Sequence, residues 1–209
     1  MRGKNTLNRL KEQEREVRKN LIIDAAERVF SVKPFDNVSM RDIADEAGMA
    51  VSSLYTYFPD QQSLFVGATL RDGEILVKKL ESIIAANPGR VNAGDIINTF
   101  IDYLNEHESY FRMMTHFMLH GSLAPDSTEK INAMMRRILD LFDHVFKNRT
   151  SDTNIRRLSH YLFAALNGIL ITFRRYPGRS DEEALRHMKH IGAVIGGMIQ
   201  ATDFKKLFP

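Results

Sequence analysis

The residues best suited to chemistry in this chain are hydroxyl-bearing side chains concentrated in one short segment. Ser52, Ser53, Tyr55, Thr56 and Tyr57 lie within six positions, and no acidic residue occurs among them. Hydroxyl groups donate hydrogen bonds to phosphate oxygens and to base edges, and a surface without carboxylates does not repel a polyanion. On a helix these side chains would form a polar surface suited to the major groove of DNA. An ordinary helical hairpin with a polar outer face is the alternative interpretation.

The sequence around this segment predicts two short helices joined by a tight turn. Ser39 followed by Asp42 is a capping box, which marks a helix start, and Gly48 suits the left-handed conformation that ends a helix. The second helix then carries Leu54 and Phe58, four positions apart and therefore on one face. The apolar positions of the first helix are Met40, Ile43, Ala44 and Ala47. This is the pattern of a helix-turn-helix.

Residues 20–65 resemble the DNA-binding domain of the TetR family of bacterial regulators, and in particular its AcrR-like repressors. Three groups of residues carry the resemblance: 23–26 with Val29 and Phe30, then 39–44 with Ala47 and Gly48, then 54–58 leading to Leu64 and Phe65. The resemblance implies the DNA contacts of the family. Ser39 and Arg41 would meet the phosphate backbone, Ser52, Ser53 and Thr56 would face the groove, Tyr55 and Tyr57 would clamp phosphates, and Gln61 would touch a phosphate.

The chain departs from the family pattern at two positions. Ala50 stands where the family usually caps the recognition helix with Ser or Thr, so we expect this helix to begin later with Ser52 as its cap. Gln61 stands where the family favours Lys, which removes a positive charge from the predicted phosphate contact. A basic segment before residue 20 offers compensation, because residues 1–19 carry seven basic and three acidic side chains. A solvated terminus is the alternative interpretation of that segment.

The whole chain is predicted to be all-α, with about nine helices separated by proline- and glycine-containing breaks. The first helix is expected over 14–31, with Leu21, Ile22, Ala25, Ala26, Val29 and Phe30 on its apolar face. Further helix starts are predicted at Asp60, at Asp126 with Glu129, and at Ser180 with Glu183. The predicted domains are a basic arm over 1–19, a helix-turn-helix domain over 20–65, and a ligand-sensing and dimerisation domain over 66–209.

Two long helices near the end of the chain, over 152–175 and 181–203, are predicted to form a homodimer interface. Gly192, Gly196 and Gly197 fall within the second, where each glycine costs up to about 1 kcal/mol relative to alanine. Their clustering indicates close approach of another helix backbone. We expect that helix to belong to a partner subunit, and a helix of the same chain is the alternative interpretation. A dimer also fits the resemblance, because two recognition helices about 34 Å apart read a palindromic DNA operator.

The resemblance further implies a small-molecule effector that releases the repressor from DNA by swinging the two heads apart through the fourth helix. Methionine and aromatic side chains crowd the middle of the chain and suit the walls of such a pocket. Asn167 and Arg174 lie on a mostly apolar helix and would anchor a polar group or cap a neighbouring helix. The other predicted effector contacts are Tyr103, Met113, Met114, His116, Phe117, Met135 and Phe142. Ordinary core packing is the alternative interpretation of these residues.

Several other classes of protein find little support in the sequence. The chain has no cysteine, which excludes disulfides and thiol chemistry, and its net charge is only +3. His116 and His120 have metal-ligand spacing without a third ligand, as do His187 and His190, so neither a metal nor a cofactor is predicted. No catalytic motif is present, and we predict that the chain is not an enzyme. No apolar segment is long enough for a membrane span or signal peptide, which favours a cytoplasmic protein associated with the nucleoid when bound to DNA. A helical adaptor for protein partners remains the competing function.

Overall fold

A computed structural model describes residues 2–89, 91–120, 123–147 and 149–207. The described residues form ten α-helices and one short 3₁₀ turn, Phe35–Asn37, and contain no strand, which confirms the all-α prediction. The helices are α1 Arg2–Val32, α2 Met40–Ala47, α3 Val51–Tyr55, α4 Gln61–Ala86, α5 Ala93–Glu106, α6 Glu108–His120, α7 Pro125–Phe146, α8 Asp152–Phe173, α9 Asp181–Ala201 and α10 Phe204–Leu207.

The chain divides into two compact units. Unit 1 comprises Met1–Arg71 and Ser109–Thr128, and unit 2 comprises Asp72–Glu108 and Glu129–Pro209. Unit 1 therefore contains the predicted helix-turn-helix domain together with most of α6. Its core joins the apolar faces of α1, α2 and α3 to Leu64, Phe65 and Ala68 of α4 and to Met113 of α6.

Helix α1 is longer than its apolar pattern predicts. It begins at Arg2, twelve residues before the predicted start, because the charged residues ahead of Glu14 are also compatible with a helix. The predicted core face is buried except for Leu21, which is 55% exposed, so its assignment to the core is wrong. The first core residue of α1 is Ile22, and every described side chain from residue 6 to 18 is exposed.

Side-chain caps account for several helix starts. The capping boxes predicted at Ser39 and Ser180 are both confirmed, with the Ser side chain accepting from the third backbone amide and the acid bonding back to the cap. Asp60 Oδ1 accepts from the Ser63 amide at 2.6 Å, which confirms the cap of α4. The cap predicted at Asp126 is wrong, because Pro125, whose fixed φ suits the first helical position, already lies within α7.

Unit 2 is built on α5, which packs against both α8 and α9, while α8 and α9 also pack against each other. A Cβ atom on Gly192 would lie 2.7 Å from Ile97 Cγ2, and one on Gly196 would lie 3.6 Å from the Gly94 backbone. Both contacts are made with α5 of the same chain. The expectation that these two glycines face a partner subunit is therefore wrong, whereas a Cβ on Gly197 would meet no atom within 4 Å.

None of the helices in the described part of the chain combines the length and apolar character that a membrane span requires.

Candidate nucleic-acid interface

Helices α2 and α3 form a helix-turn-helix. Ser39 caps α2 at one end, and Gly48 ends it with φ +63°, a conformation that glycine adopts without strain. The Met49 amide then bonds to the Ala44 carbonyl at 3.0 Å, which closes the turn. Leu54 is fully buried against the core of unit 1. Burial of this one face of α3 leaves its other face directed to solvent.

Helix α3 begins one residue before its first hydroxyl side chain. Its N-cap is Ala50, which makes no side-chain hydrogen bond, and the helix itself starts at Val51. The expectation that Ser52 caps a later start is therefore wrong, because Ser52 already lies in the first turn. The Ser52 side chain is thus not the N-cap of the helix, and Ser52 lies on the exposed surface.

The predicted DNA contacts are not equally accessible. Ser52, Tyr55, Thr56 and Arg41 are exposed, with Tyr55 at 51%. Ser39 is exposed as well, but its hydroxyl belongs to the capping box. The remaining three are engaged within unit 1: Ser53 is half-buried, the Tyr57 ring packs against the core, and Gln61 Nε2 donates to the Phe35 carbonyl at 2.9 Å. The accessible polar surface is therefore centred on α3 and on Arg41 of α2.

The acidic group nearest the start of α2 is held within a hydrogen-bond network. Asp42 accepts from Lys33 Nζ at 2.8 Å through one oxygen and from the Ser39 amide at 2.8 Å through the other. The hydrogen bond from Lys33, followed by those from Ser39, lowers the pKa of Asp42 from its ordinary 3.8 to about 2. Its negative charge is thus compensated by Lys33 inside unit 1. The Asp42 carboxylate therefore repels a nearby polyanion only slightly.

Arg71 forms a polar contact in unit 1 that sequence reasoning missed. One guanidinium nitrogen lies 2.6 Å from Asp24 Oδ1 and the other 2.7 Å from Glu27 Oε1, so this α4 side chain joins two acids on α1. Burial raises the pKa of Glu27, against the lowering effect of the Arg71 hydrogen bond. The two acids at i and i+3 were the available signal, but nothing local identifies their partner.

Four of the predicted effector contacts belong to unit 1. Met113 is 1% exposed within its core, Met114 is also buried, and Phe117 packs on the core surface. The His116 ring lies 4.6 Å from that of Phe35 and 5.5 Å from that of Phe65, measured between centroids. In unit 1 these residues therefore pack around the helix-turn-helix.

The remaining five predicted effector contacts belong to unit 2. Tyr103 is 1% exposed and its hydroxyl donates to the Asp72 carbonyl at 2.8 Å, while Phe142 is fully buried in ring contact with Phe100 and Phe163. Met135 is half-buried. Core packing thus accounts for Tyr103 and Phe142.

Asn167 and Arg174 take different roles in unit 2. Arg174 donates to the Leu104 and Asn105 carbonyls at 2.6 and 2.9 Å, so it caps the end of α5, the second of the two roles predicted for it. Burial lowers the pKa of Arg174. Asn167 is 6% exposed and donates to the Phe163 carbonyl at 2.8 Å. Its buried Oδ1 has no hydrogen-bond partner among the described residues. Asn167 can therefore still accept a hydrogen bond from a ligand, as a polar anchor would.

Metal-ligand spacing does not lead to a metal site in the part of the chain that the structure describes. No group of three or more His, Cys, Asp or Glu residues within these ranges has a geometry suited to a metal ion. The side chain of His120, one half of a predicted pair, lies outside the described residues.

Comparison with known proteins identifies the same segment. Residues 22–68 match the model of the bacterial regulatory proteins of the tetR family. The chain is 26% identical over 136 residues to the HTH-type transcriptional repressor KstR of Rhodococcus jostii, covering 65% of this chain and 61% of that protein. It is 28% identical over 107 residues to an uncharacterized HTH-type transcriptional regulator of Haemophilus influenzae, covering 49% and 50%. The chain thus spans between half and two thirds of the length of these curated relatives.

The fold is also that of a solved regulator. The transcriptional regulator FadR from Bacillus subtilis, determined in complex with stearoyl-CoA, superposes with a TM-score of 0.70 at 15% identity, over 87% of this chain and 97% of FadR. That likeness concerns the fold, whereas the match over residues 22–68 concerns the helix-turn-helix itself. Together with the capped α2, the closed turn and the exposed hydroxyl face of α3, it shows that residues 22–68 form a helix-turn-helix domain of the kind found in the bacterial regulatory proteins of the tetR family.

Proposed function

We propose that the chain is a dimeric transcriptional repressor that binds a palindromic DNA operator through α3 and leaves it when a small molecule binds. The observation that carries the proposal is the acid-free exposed surface of α3, in which Ser52, Tyr55 and Thr56 face solvent while Leu54 anchors the helix. A helix of this kind can enter the major groove with its hydroxyl groups directed to phosphates and base edges. Arg41 adds a cation on the adjacent helix.

The eight predicted DNA contacts carry different weight in this proposal. The exposed side chains of α3 and Arg41 would make the direct contacts. Ser39 and Gln61 would act through the backbone groups that they hold, since their polar atoms already bond within unit 1. Tyr57 would present its hydroxyl at the edge of the surface while its ring stays packed. Ser53 would contribute only if the groove closes around α3.

A homodimer through α8 and α9 is supported by an apolar surface on these two helices. Tyr161 and Ile171 on α8, and Val194 and Met198 on α9, are each about half exposed or more. Two glycines also lie on these helices, Gly197 on α9 and Gly168 on α8. A Cβ atom added to either would have no neighbouring atom within 4 Å. Glycine inside a helix costs up to about 1 kcal/mol, and no contact within the described chain explains it here. Close approach of a partner helix would explain both glycines.

Unit 2 would hold the effector, with Asn167 as the polar anchor. The buried Oδ1 of Asn167 accepts no hydrogen bond from the described residues, and a buried polar atom without a partner is uncommon in folded proteins. FadR from Bacillus subtilis was determined with stearoyl-CoA, so this fold accommodates a small-molecule ligand in that protein. Effector binding would favour a dimer with its heads too far apart for successive grooves, typically through about 1–3 kcal/mol of coupling free energy.

Selection of bound sequences from random DNA by the purified chain tests this proposal. We expect a palindrome whose half-sites lie about one helical turn apart, and an affinity that falls steeply with salt. Tyr55→Ala is expected to weaken binding about tenfold, because a hydrogen bond to a charged group contributes about 1.5 kcal/mol. Tyr176→Ala removes a tyrosine of similar exposure, 44%, from unit 2 and is the matched control.

Two results would contradict the proposal. One is a monomeric protein that enriches no sequence and binds no duplex even at low salt, which would favour the helical adaptor instead. The other is equal loss of DNA affinity in the Tyr55→Ala and Tyr176→Ala variants, which would place the DNA surface elsewhere.

A further inference from the structure

Unit 1 contains a cleft beside the helix-turn-helix, which we call the aromatic cleft. Its volume is about 320 Å³, at the lower end of the range for small-molecule sites. Its lining includes Phe30, Lys33, Phe35, Phe65, Arg112 and Thr115. They come from α1, the segment that follows it, α4 and α6, so the cleft lies wholly within unit 1.

The apolar wall of the cleft is formed by packed rings. The Phe35 and Phe65 rings have centroids 4.4 Å apart, and the Phe30 ring meets that of Phe65 edge-on at 4.9 Å. The edge-to-face arrangement of Phe30 and Phe65 is a favourable one between aromatic groups, and the Phe35 ring is tilted by 58° relative to that of Phe65. The ring contacts fix the orientation of the wall, which is thus preformed for a flat apolar ligand and loses little entropy when one binds.

The charged groups of the cleft are of one sign. Lys33 and Arg112 line it, and no carboxylate occurs in its lining as the described residues give it. Arg112 Nη1 donates to the Ser31 carbonyl at 2.7 Å, which holds the guanidinium in place at the end of α1. Lys33 donates to Asp42, yet an ammonium group has three hydrogens to donate. Both cations therefore retain capacity for an anionic oxygen.

A hydroxyl group adds a second polar feature. Thr115 Oγ1 is shielded from solvent and makes no hydrogen bond with the described residues. A shielded hydroxyl without a partner has lost its bonds to water without replacement, which carries a free-energy cost. An acceptor atom of a ligand would remove that cost. Thr115 and the two cations are among the residues that line the same cleft as the rings.

We propose that the aromatic cleft binds a small aromatic carboxylate, with its ring against Phe35 and Phe65 and its carboxylate bound by Lys33 and Arg112. The aromatic wall selects a flat apolar body, and the two cations select an anion. The guanidinium of Arg112 matches the planar geometry of a carboxylate, which distinguishes this anion from a simple point charge. This ligand site lies in the DNA-binding unit and is separate from the effector site proposed in unit 2.

Isothermal titration calorimetry of the full chain with 2-naphthoate, without DNA, tests this assignment. We expect submillimolar binding, and at least tenfold weaker binding of 2-naphthalenemethanol, which keeps the ring system and lacks the charge. Arg112→Gln and Lys33→Gln are each expected to weaken 2-naphthoate binding about tenfold, as loss of a charge-assisted hydrogen bond predicts. Arg186→Gln makes the same change at a well-exposed position of unit 2 and should leave binding unchanged.

Three outcomes would overturn the proposal. These are no heat of binding at millimolar 2-naphthoate, equal affinity for the acid and the alcohol, and unchanged affinity in both Arg112→Gln and Lys33→Gln. Binding that survives both of these variants but is lost in Asn167→Ala would assign the ligand to unit 2, which also overturns it. Circular dichroism of each variant confirms that it folds. Because no DNA is present, failure here is distinguishable from failure of the proposed repressor function.

Discussion

Replacing Arg71 by alanine is expected to lower the free energy of unfolding by about 2–3 kcal/mol near pH 7. The guanidinium bonds Asp24 at 2.6 Å and Glu27 at 2.7 Å. Asp24 is about half exposed, so solvent screening limits its contact to less than about 1 kcal/mol. The Glu27 side chain is only 20% exposed, and a hydrogen bond between charged groups at such a site contributes about 1.5–3 kcal/mol. Most of the loss therefore comes from Glu27.

The loss is expected to depend on pH in a defined direction. Burial raises the pKa of Glu27 and the hydrogen bond from Arg71 lowers it, so removal of Arg71 raises this pKa further. A carboxyl group whose pKa is higher in the folded state stabilises the fold at pH below its unfolded pKa, and loses that contribution as the pH rises through its folded pKa. The variant should thus be less destabilised near pH 5 than near pH 7, because protonated Glu27 needs no cation.

Urea unfolding followed by far-ultraviolet circular dichroism at both pH values measures this effect. Arg71→Lys keeps the charge without the two-pronged geometry and should show an intermediate loss. Arg137→Ala removes an exposed arginine paired with Glu74 in unit 2 and is the control, with an expected loss below about 1 kcal/mol. A loss for Arg71→Ala below about 0.5 kcal/mol, or one no larger near pH 7 than near pH 5, would refute the reasoning.

Three further substitutions probe other parts of the fold. Gly192→Ala places a methyl group 2.7 Å from Ile97 Cγ2; because such overpacking costs about 1–3 kcal/mol, more than the roughly 1 kcal/mol of helix propensity gained, the melting temperature should fall. Gly197→Ala should raise the stability of the monomer but weaken the dimer in sedimentation velocity, and an unaffected dimer would contradict a partner helix at this position. Ser39→Ala should lower the free energy of unfolding by about 1 kcal/mol in chemical denaturation, and no change would show that the Asp42 network alone holds α2.

Local signals predicted most of the fold. The capping boxes at Ser39 and Ser180 and the glycine at position 48 act within four residues of themselves, so a single sequence contains all the necessary information. The predicted start of α1 is too late because its first turns carry no apolar face. A helix that is exposed on all sides has no apolar periodicity from which its start could be predicted. The cap assigned to Asp126 lies two residues too late for a similarly local reason, because the proline before it already occupies the first helical position.

The sequence did not specify the partners of long side chains that reach across the fold. Arg71 reaches acids more than forty residues away, Gln61 reaches the Phe35 carbonyl, and Arg174 reaches the end of α5. No periodicity specifies such partners, because flexible side chains can meet any element that packs nearby. The glycines of α9 illustrate the same limit: their spacing indicates a close neighbour, but only the structure shows that α5 faces Gly192 and Gly196.

In the first half of α1 the charge of the side chains can change independently of the stability of the fold. At 1.5 Å per residue the helix is about 46 Å long, yet the described residues from 6 to 18 are all exposed and none belongs to the core. Charge in this segment can therefore change without loss of core packing, whereas each lysine or arginine that meets a phosphate would steepen the salt dependence of DNA binding by about one unit. Substitutions in this segment could thus change operator affinity and its salt dependence while leaving the packing of the core unchanged.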